Sequence, residues 1–312
     1  MALKPKILAV GANPAWQKVL QFANFRYDAV NRADAMWSFA SGKGINFARA
    51  AGIWNRADVE LLQFAGGDNG KLLLADLQKE DLTVKTVQSV CPTRCCITCL
   101  STVDSTMTEL IEPSQPPREE ELNEAYEHIL AVIPQVDAVA LCGQLPTGMT
   151  IDFYVRCAEI AAEHGKLLLI DSWKNIAPVL EIASNTILKV NVEELFALTG
   201  MNEILPALRM LFAKSNLEYA AITNGSRSAY MADRQDCWSY EVPRLKNVVN
   251  PVGSGDTASA VLLSNMVAGV TPERAFAEAL AAASANCLSM KCGQFEFEQA
   301  MTLLKDIKIK KL

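Results

Sequence analysis

Short apolar runs alternate along this chain with segments of helical period. The runs Ile7–Ala12, Val59–Ala65, Ala138–Cys142, Leu167–Asp171, Ile187–Val190 and Tyr219–Thr223 have the length of strands buried on both faces. Between them, Lys71–Lys79, Glu119–Ile133, Asp152–His164 and Glu194–Thr199 set their apolar residues along one helical stripe. This alternation predicts βαβ units and an α/β fold whose mostly parallel sheet is covered on both faces. From Asp256 to Met290 the pattern is almost wholly helical and rich in alanine, with Pro272 suited to a helix start.

Two stretches break the rhythm. Residues 13–40 and 91–112 mix β-branched and aromatic residues with no helical period. They predict a small β-rich lid built from two insertions into a single domain of residues 1–312, with no linker between separate domains.

Length and composition agree with this organisation. A chain of 312 residues, half of them hydrophobic and 21% charged, can bury a full core and is neither disordered nor fibrous. The formal charge of −6 argues against a nucleic-acid binder that neutralises phosphates, though it leaves room for a local basic pocket. No apolar run approaches the roughly 18 residues of a membrane span. Ile7–Ala12 is too short for the core of a signal peptide and reads as a first buried strand. Nine cysteines, an odd number, read as mostly reduced thiols and hence a cytoplasmic protein.

The strongest local signal is Asn250-Pro251-Val252-Gly253-Ser254-Gly255-Asp256-Thr257, followed at once by an apolar helix. A turn of small residues at a helix N-terminus exposes backbone N–H groups where the helix dipole is positive, which makes an anion hole. Asp256 in the first turn could take a proton from an attacking hydroxyl while those amides hold the developing charge. Alone, the segment is equally compatible with a tight turn in which Asp256 caps the helix. A GxxxxGK[ST] phosphate loop is absent from the sequence. The second signal is Ser41-Gly42-Lys43-Gly44-Ile45-Asn46, which opens a helix through Phe47–Gly52. Its glycines let backbone approach a ligand, Lys43 supplies a cation and Asn46 an amide that both donates and accepts. Taken by itself, GKG is common, and its lysine reads equally as a solvated surface residue.

These motifs together resemble the ribokinase-like, PfkB-type carbohydrate kinases. The match continues in order through Asn13-Pro14-Ala15, Thr93-Arg94, Gly143-Gln144-Leu145-Pro146-Thr147-Gly148, Lys189-Val190-Asn191 with Glu194, and Thr223-Asn224-Gly225. Thr93-Arg94 through Thr108-Glu109-Leu110-Ile111-Glu112 looks most like the 1-phosphofructokinase and tagatose-6-phosphate kinase branch. The resemblance implies a three-layer α/β/α fold with a small β lid and an ATP- and Mg²⁺-dependent kinase acting on a sugar phosphate. Asp256 matches the family's base, and Gly253, Ser254 and Gly255 its anion hole. Lys189, Asn191 and Glu194 match the element that organises nucleotide phosphates and Mg²⁺, with Asn191 and Glu194 on the metal side. Read without the family, Glu194 is an exposed acid in the first turn of a helix. Thr223, Gly225 and Ser226 match the loop beside the nucleotide, and Asn286 falls in the helix bordering the adenine pocket. Lys43 and Arg94 match the two cations that hold the phosphate already on the sugar. Gly42 and Asn46 belong to the same sugar side.

Three departures fall on that sugar side. Gln17 stands where the family usually has aspartate, Gln144 where the branch usually has serine, and Ser41 where glycine is usual; Trp16 adjoins Gln17. Such swaps either shift specificity or are tolerated. Competing readings are a kinase of another or unphosphorylated sugar, and a catalytically weak sugar-phosphate sensor. A homodimer through lid edges carrying Phe22, Phe25 and Phe39 is a further expectation. Cys91, Cys95, Cys96 and Cys99 do not have zinc-finger spacing, and alternation along a strand sends Cys96 away from Cys95 and Cys99. His128 and His164 read as surface or interhelical residues.

Overall fold

A computed structural model of the chain describes residues 3–182 and 185–312. Strand β1 (Lys6–Gly11) leads out to β2 (Ala15–Phe22) and β3 (Ala35–Ser41), and α1 (Lys43–Trp54) brings the chain back to β4 (Asp58–Ala65). After α2 (Gly67–Leu77) and β5 (Thr83–Gln88), a second excursion forms β6 (Arg94–Ser101) and β7 (Thr106–Ile111). The alternating part follows: α3 (Glu119–Val132), β8 (Ala138–Cys142), α4 (Asp152–Glu163), β9 (Leu167–Asp171), α5 (Ala177–Ile182) and β10 (Thr186–Asn191). Then come α6 (Val192–Thr199), α7 (Ile204–Ala213), β11 (Tyr219–Thr223), β12 (Ala229–Ala232) and β13 (Cys237–Glu241). The chain closes with α8 (Ser254–Val267), α9 (Pro272–Asn286), α10 (Phe297–Leu304) and β14 (Lys308–Lys311).

The main sheet has the order β14-β13-β12-β11-β10-β9-β8-β1-β4-β5. Pairing is parallel from β5 to β11 and antiparallel across the last three strands. Side-chain alternation divides the core between two faces. Ile7 and Ala9 of β1 join α1, α8 and α9 on one side, while Leu8 and Val10 join α3, α4 and α7 on the other. That double burial is why these strands read as continuous apolar runs. The helical last third is interrupted where Gly269 adopts φ +80° between α8 and α9, and Pro272 opens α9 as its spacing predicts.

The two excursions meet in a separate four-stranded sheet of order β3-β2-β6-β7. Its central pair β2–β6 is parallel, with Gln17 opposite Cys96, and β6–β7 is antiparallel, with Thr98 opposite Glu109. Facing partners share a side of the sheet. Gln17, Arg94, Cys96, Thr98 and Glu109 therefore form its inner face, whereas Trp16, Cys95 and Cys99 lie on the outer one. The expectation that Phe22, Phe25 and Phe39 would form apolar edges needs correction. Phe22 and Phe39 are 4% and 5% exposed, Phe22 packs on Phe25, and the exposed large apolar side chains of this sheet are instead Met36, Trp37, Met107, Leu110 and Ile111. Phe39, Val19 and Leu100 of the inner face pack on Cys292, which fastens the small sheet to the loop after α9. No single helix among the described residues is long and apolar enough to cross a membrane.

Candidate active site

A cavity of about 820 Å³ opens between the small sheet and the ends of the parallel strands. In open α/β sheets this is where ligands bind. One end is walled by Gln17, Gly42, Asn46, Arg94 and Glu109; the other by Lys189, Asn191, Glu194, Thr223, Gly225 and Ser226. Gly253, Ser254, Gly255 and Asp256 lie where the two ends join, so the sequence motifs 200 residues apart converge on one space.

Helix α8 begins at Gly253, whose φ of +84° is readily adopted only by glycine, and no side chain caps it. The first amides of a helix have no partner within it; here the Ser254 N–H donates to the Pro251 carbonyl at 3.3 Å, and the remaining N–H groups of the turn stand at the positive end of the helix dipole beside the cavity. Asp256 is 7% exposed and accepts a hydrogen bond from Asn46 Nδ2 at 2.8 Å. Burial raises its pKa above the usual carboxylate range, and Asp171 adds to the rise against the opposing pull of Lys43. A carboxylate that binds a proton more readily than usual, yet is held in place by an amide, has the character of a general base.

Lys43 opens α1 behind Gly42, whose φ is +112°. Its Nζ lies 2.7 Å from Asp171 Oδ1. Burial works against its charge, but Asp171 and Asp256 outweigh this and keep the ammonium firmly protonated. Asp171 also accepts from Ser259 Oγ at 2.8 Å and lies 3.7 Å from Lys189 Nζ. Burial opposes its ionisation; Lys189 and Lys43 prevail and hold it below the usual range. Lys189 in turn sits against the helix start, for a Cβ at Gly255 would come within 2.7 Å of its Nζ. Arg94 holds the main-chain oxygen of Asn13 through Nη2 at 3.2 Å, while its Nε is buried with no partner among the described residues. An orphaned guanidinium N–H at a cavity wall suits an anionic ligand.

Asn191 and Glu194 form a reciprocal cap on α6: each main-chain N–H donates to the other's side chain at 2.8 Å. The N-x-x-E spacing is first a capping box. Glu194 commits Oε2 to that bond and retains the other oxygen at the cavity wall. One carboxylate oxygen left at the wall of a cavity fits Mg²⁺, which keeps several waters and binds proteins through one or two carboxylates.

Three residues singled out in the sequence do not reach the cavity wall. Asn286 stands behind the loop: its amide donates to Val252 O at 3.1 Å and accepts from Gly293 N at 2.8 Å, so it braces the helix start. The cavity wall contributed by α9 is formed instead by Leu280, Ala283 and Ser284. Ser41 is buried and donates to Asn46 Oδ1 at 3.1 Å, and Gln144 is half-buried beyond the wall. Conversely, Asp171 and Glu109 went unassigned in the sequence. Asp171 carried one signal, an acid ending an aliphatic run at the C-terminal end of a parallel strand. Glu109 is drawn above the usual carboxylate range by partial burial and by Asp256, against Arg94. His128 bonds Glu60 at 2.6 Å and His164 the Ile160 carbonyl at 2.9 Å, both away from this site.

A three-layer α/β fold with a separate small sheet, and an acid at the uncapped start of a helix between two polar ends of one cavity, define a carbohydrate kinase. The chain belongs to the pfkB family of carbohydrate kinases, whose family model matches residues 4–298. Among similar proteins, tagatose-6-phosphate kinase of Staphylococcus epidermidis is 26% identical over 310 residues, covering 97% of this chain and 99% of its own. Phosphofructokinase-2 of Escherichia coli in complex with substrates and products superposes with a TM-score of 0.86 at 20% identity, over 96% of this chain and 99% of that one. Ribokinase of Arabidopsis thaliana complexed with ribose and ATP does so at 0.75 and 18% identity, over 97% and 99%. At these identities the two structures establish the fold.

Proposed function

We propose that this chain transfers the γ-phosphoryl group of ATP to a hydroxyl of a ketohexose phosphate, of the kind named for its tagatose-6-phosphate kinase relative. The observation that carries this reading is the position of Asp256, bonded to Asn46 at the uncapped start of α8 between an arginine-bearing end and a lysine- and glutamate-bearing end of one cavity. The sugar lies against Gln17, Gly42 and Asn46, with its own phosphate on Arg94. The nucleotide lies along Lys189, Asn191, Thr223, Gly225 and Ser226.

In the reaction, Asp256 takes the hydroxyl proton, the oxygen attacks the γ-phosphorus, and the bond to the β-phosphate oxygen breaks to release ADP. The amides of Gly253 and Gly255, and that of Ser254 once it leaves the Pro251 carbonyl, receive the charge on the transferred group, with Lys43 and Lys189 beside them. Mg²⁺, when bound near Glu194 and Asn191, supplies charge neutralisation for the ATP phosphates. The small sheet serves as a lid that excludes water from the phosphoryl group, and Met36 and Leu110, exposed on its outer face, offer a surface to a second copy of the chain.

The test is ADP release from MgATP across fructose 1-phosphate, fructose 6-phosphate, tagatose 6-phosphate, fructose and ribose. Turnover of one phosphosugar that disappears in Asp256→Asn supports the reading. Turnover of the free sugars alone, or of none in a folded protein that binds ATP, overturns it.

A further inference from the structure

We infer that Thr98 and Gln17 act together as the sugar-reading element of the site. Thr98 locks the Gln17 amide so that only its oxygen faces the cavity, and the substrate is recognised there by a hydroxyl that donates. This rests on the sugar-phosphate reading above and deepens it by assigning how the sugar is read.

Gln17 lines the cavity although it is 3% exposed. Its Nε2 donates to Thr98 Oγ1 at 2.9 Å and to the Lys18 carbonyl at 3.2 Å. An amide nitrogen has two hydrogens, so both are used. The Lys18 carbonyl can only accept, which decides the orientation of the amide: turned over, it would set oxygen against oxygen. Among the described residues no group donates to Gln17 Oε1. That oxygen is left to the cavity, where a donating substrate group takes the place of solvent. Thr98, fully buried on the neighbouring strand, has no solvent to which it could turn its hydroxyl instead.

Ala15, Met107 and Ile111 of the same wall bring no side-chain donor or acceptor, while Cys96 faces Gln17, and Arg94 and Glu109 carry the wall's charges. A hydroxyl that donates to Gln17 Oε1 is satisfied, whereas a carbonyl or phosphate oxygen set against that atom meets another acceptor. Sites that bond one substrate hydroxyl discriminate strongly against analogues lacking it.

The experiment measures kcat and both KM values on the phosphosugar turned over fastest in the panel, for wild type, Thr98→Val, Thr98→Ser and Gln17→Leu. The sugar KM is expected to rise about tenfold in Thr98→Val and further in Gln17→Leu. The MgATP KM stays within about twofold, and Thr98→Ser restores the wild-type value, because the hydroxyl rather than the side-chain volume holds the amide. Monodeoxy forms of the same phosphosugar supply the second readout. One of them binds more weakly to wild type, and that penalty disappears in Gln17→Leu. Unchanged sugar KM in both Thr98→Val and Gln17→Leu, or a deoxy penalty that persists at every position in Gln17→Leu, overturns the inference. A rise in both KM values that Thr98→Ser fails to rescue assigns Thr98 a packing role and overturns it too. A wild-type protein silent on the whole panel is a separate result, which removes the kinase reading itself and this inference with it.

Discussion

The ammonium of Lys43 lies 2.7 Å from Asp171 Oδ1, and Lys189 approaches the other oxygen of the same carboxylate at 3.7 Å. One buried anion at the end of β9 thus holds two cations that flank the start of α8. The sequence alone assigned the lysines to opposite ends of the substrate pair; the structure ties them through a shared partner. Replacing Asp171 with asparagine keeps the shape but releases both side chains. The catalytic rate is expected to fall by roughly a hundredfold, the order set by a small misplacement of catalytic groups. The same change acts on Asp256, whose pKa Asp171 helps to raise. With that negative charge removed, Lys43 and Lys189 act unopposed and favour the ionised base. The acid limb of the kcat/KM profile should therefore move to lower pH even as the plateau drops; a limb that stays in place would show that Asp171 has no electrostatic hold on the base.

Asp256 is costly to the fold in its working form. Its pKa is raised in the folded protein, so its contribution to stability is fully present below the unfolded value and is lost as pH rises through the folded value. Above the folded value the protein carries an ionised carboxylate in a site that resists it. Asp256→Asn should melt a few degrees above wild type at pH 7, and the gap should close as pH falls toward about 4. Turnover should drop by about two to four orders of magnitude. Calorimetric scans of the two proteins across pH decide the matter; equal Tm values throughout would contradict the assignment of an elevated pKa.

The two glycines of the anion hole should respond differently to alanine. At Gly253, φ is +84° and a Cβ would stand 2.9 Å from Cys292 Cβ and 3.0 Å from Gly293 N, so backbone strain and collision coincide. Gly253→Ala should lower stability by about 1–3 kcal/mol and abolish activity. Gly255 lies inside α8 without a positive φ, and its added Cβ would meet only Lys189 Nζ at 2.7 Å. Alanine favours the helix there by up to about 1 kcal/mol relative to glycine, while Lys189 must move. Gly255→Ala should keep or raise its Tm and lose at least about tenfold in kcat. Thermal melts paired with steady-state kinetics separate the two cases.

Much of the fold was legible because doubly buried strands announce themselves. Ala138–Cys142, Leu167–Asp171 and Tyr219–Thr223 form at the predicted residues, since no register other than full burial suits them. The antiparallel edge of β12, β13 and β14 was not foreseen: Lys308–Lys311 is wholly exposed and Cys237–Glu241 mostly half-buried, so neither carries a strong apolar alternation. The small sheet was anticipated from its lack of helical period, but its parallel centre was not, because pairing between residues 15–22 and 94–101 leaves no local mark. At the site, the turn at 253–256 could be read as an anion hole because glycines and an acid at a helix start have few other uses. Asp171 was recognised only as the end of a strand. Its partners come from α1, β10 and α8, and convergence of that kind exists only in three dimensions. Asn286 erred the other way: its place on α9 was plain, but the direction of its amide was not.

The parallel pairing of β2 with β6 makes the small sheet depend on the main one. Parallel neighbours cannot be joined by a hairpin, and here the chain from Ser41 to Thr93 must first run through α1, β4, α2 and β5 before β6 can dock. The wall that carries Gln17 and Thr98 belongs to a four-stranded sheet separate from the ten-stranded one, so it can open without breaking the main core. Its amides should exchange with solvent before those of β1 and β8, and a bound sugar should slow that exchange.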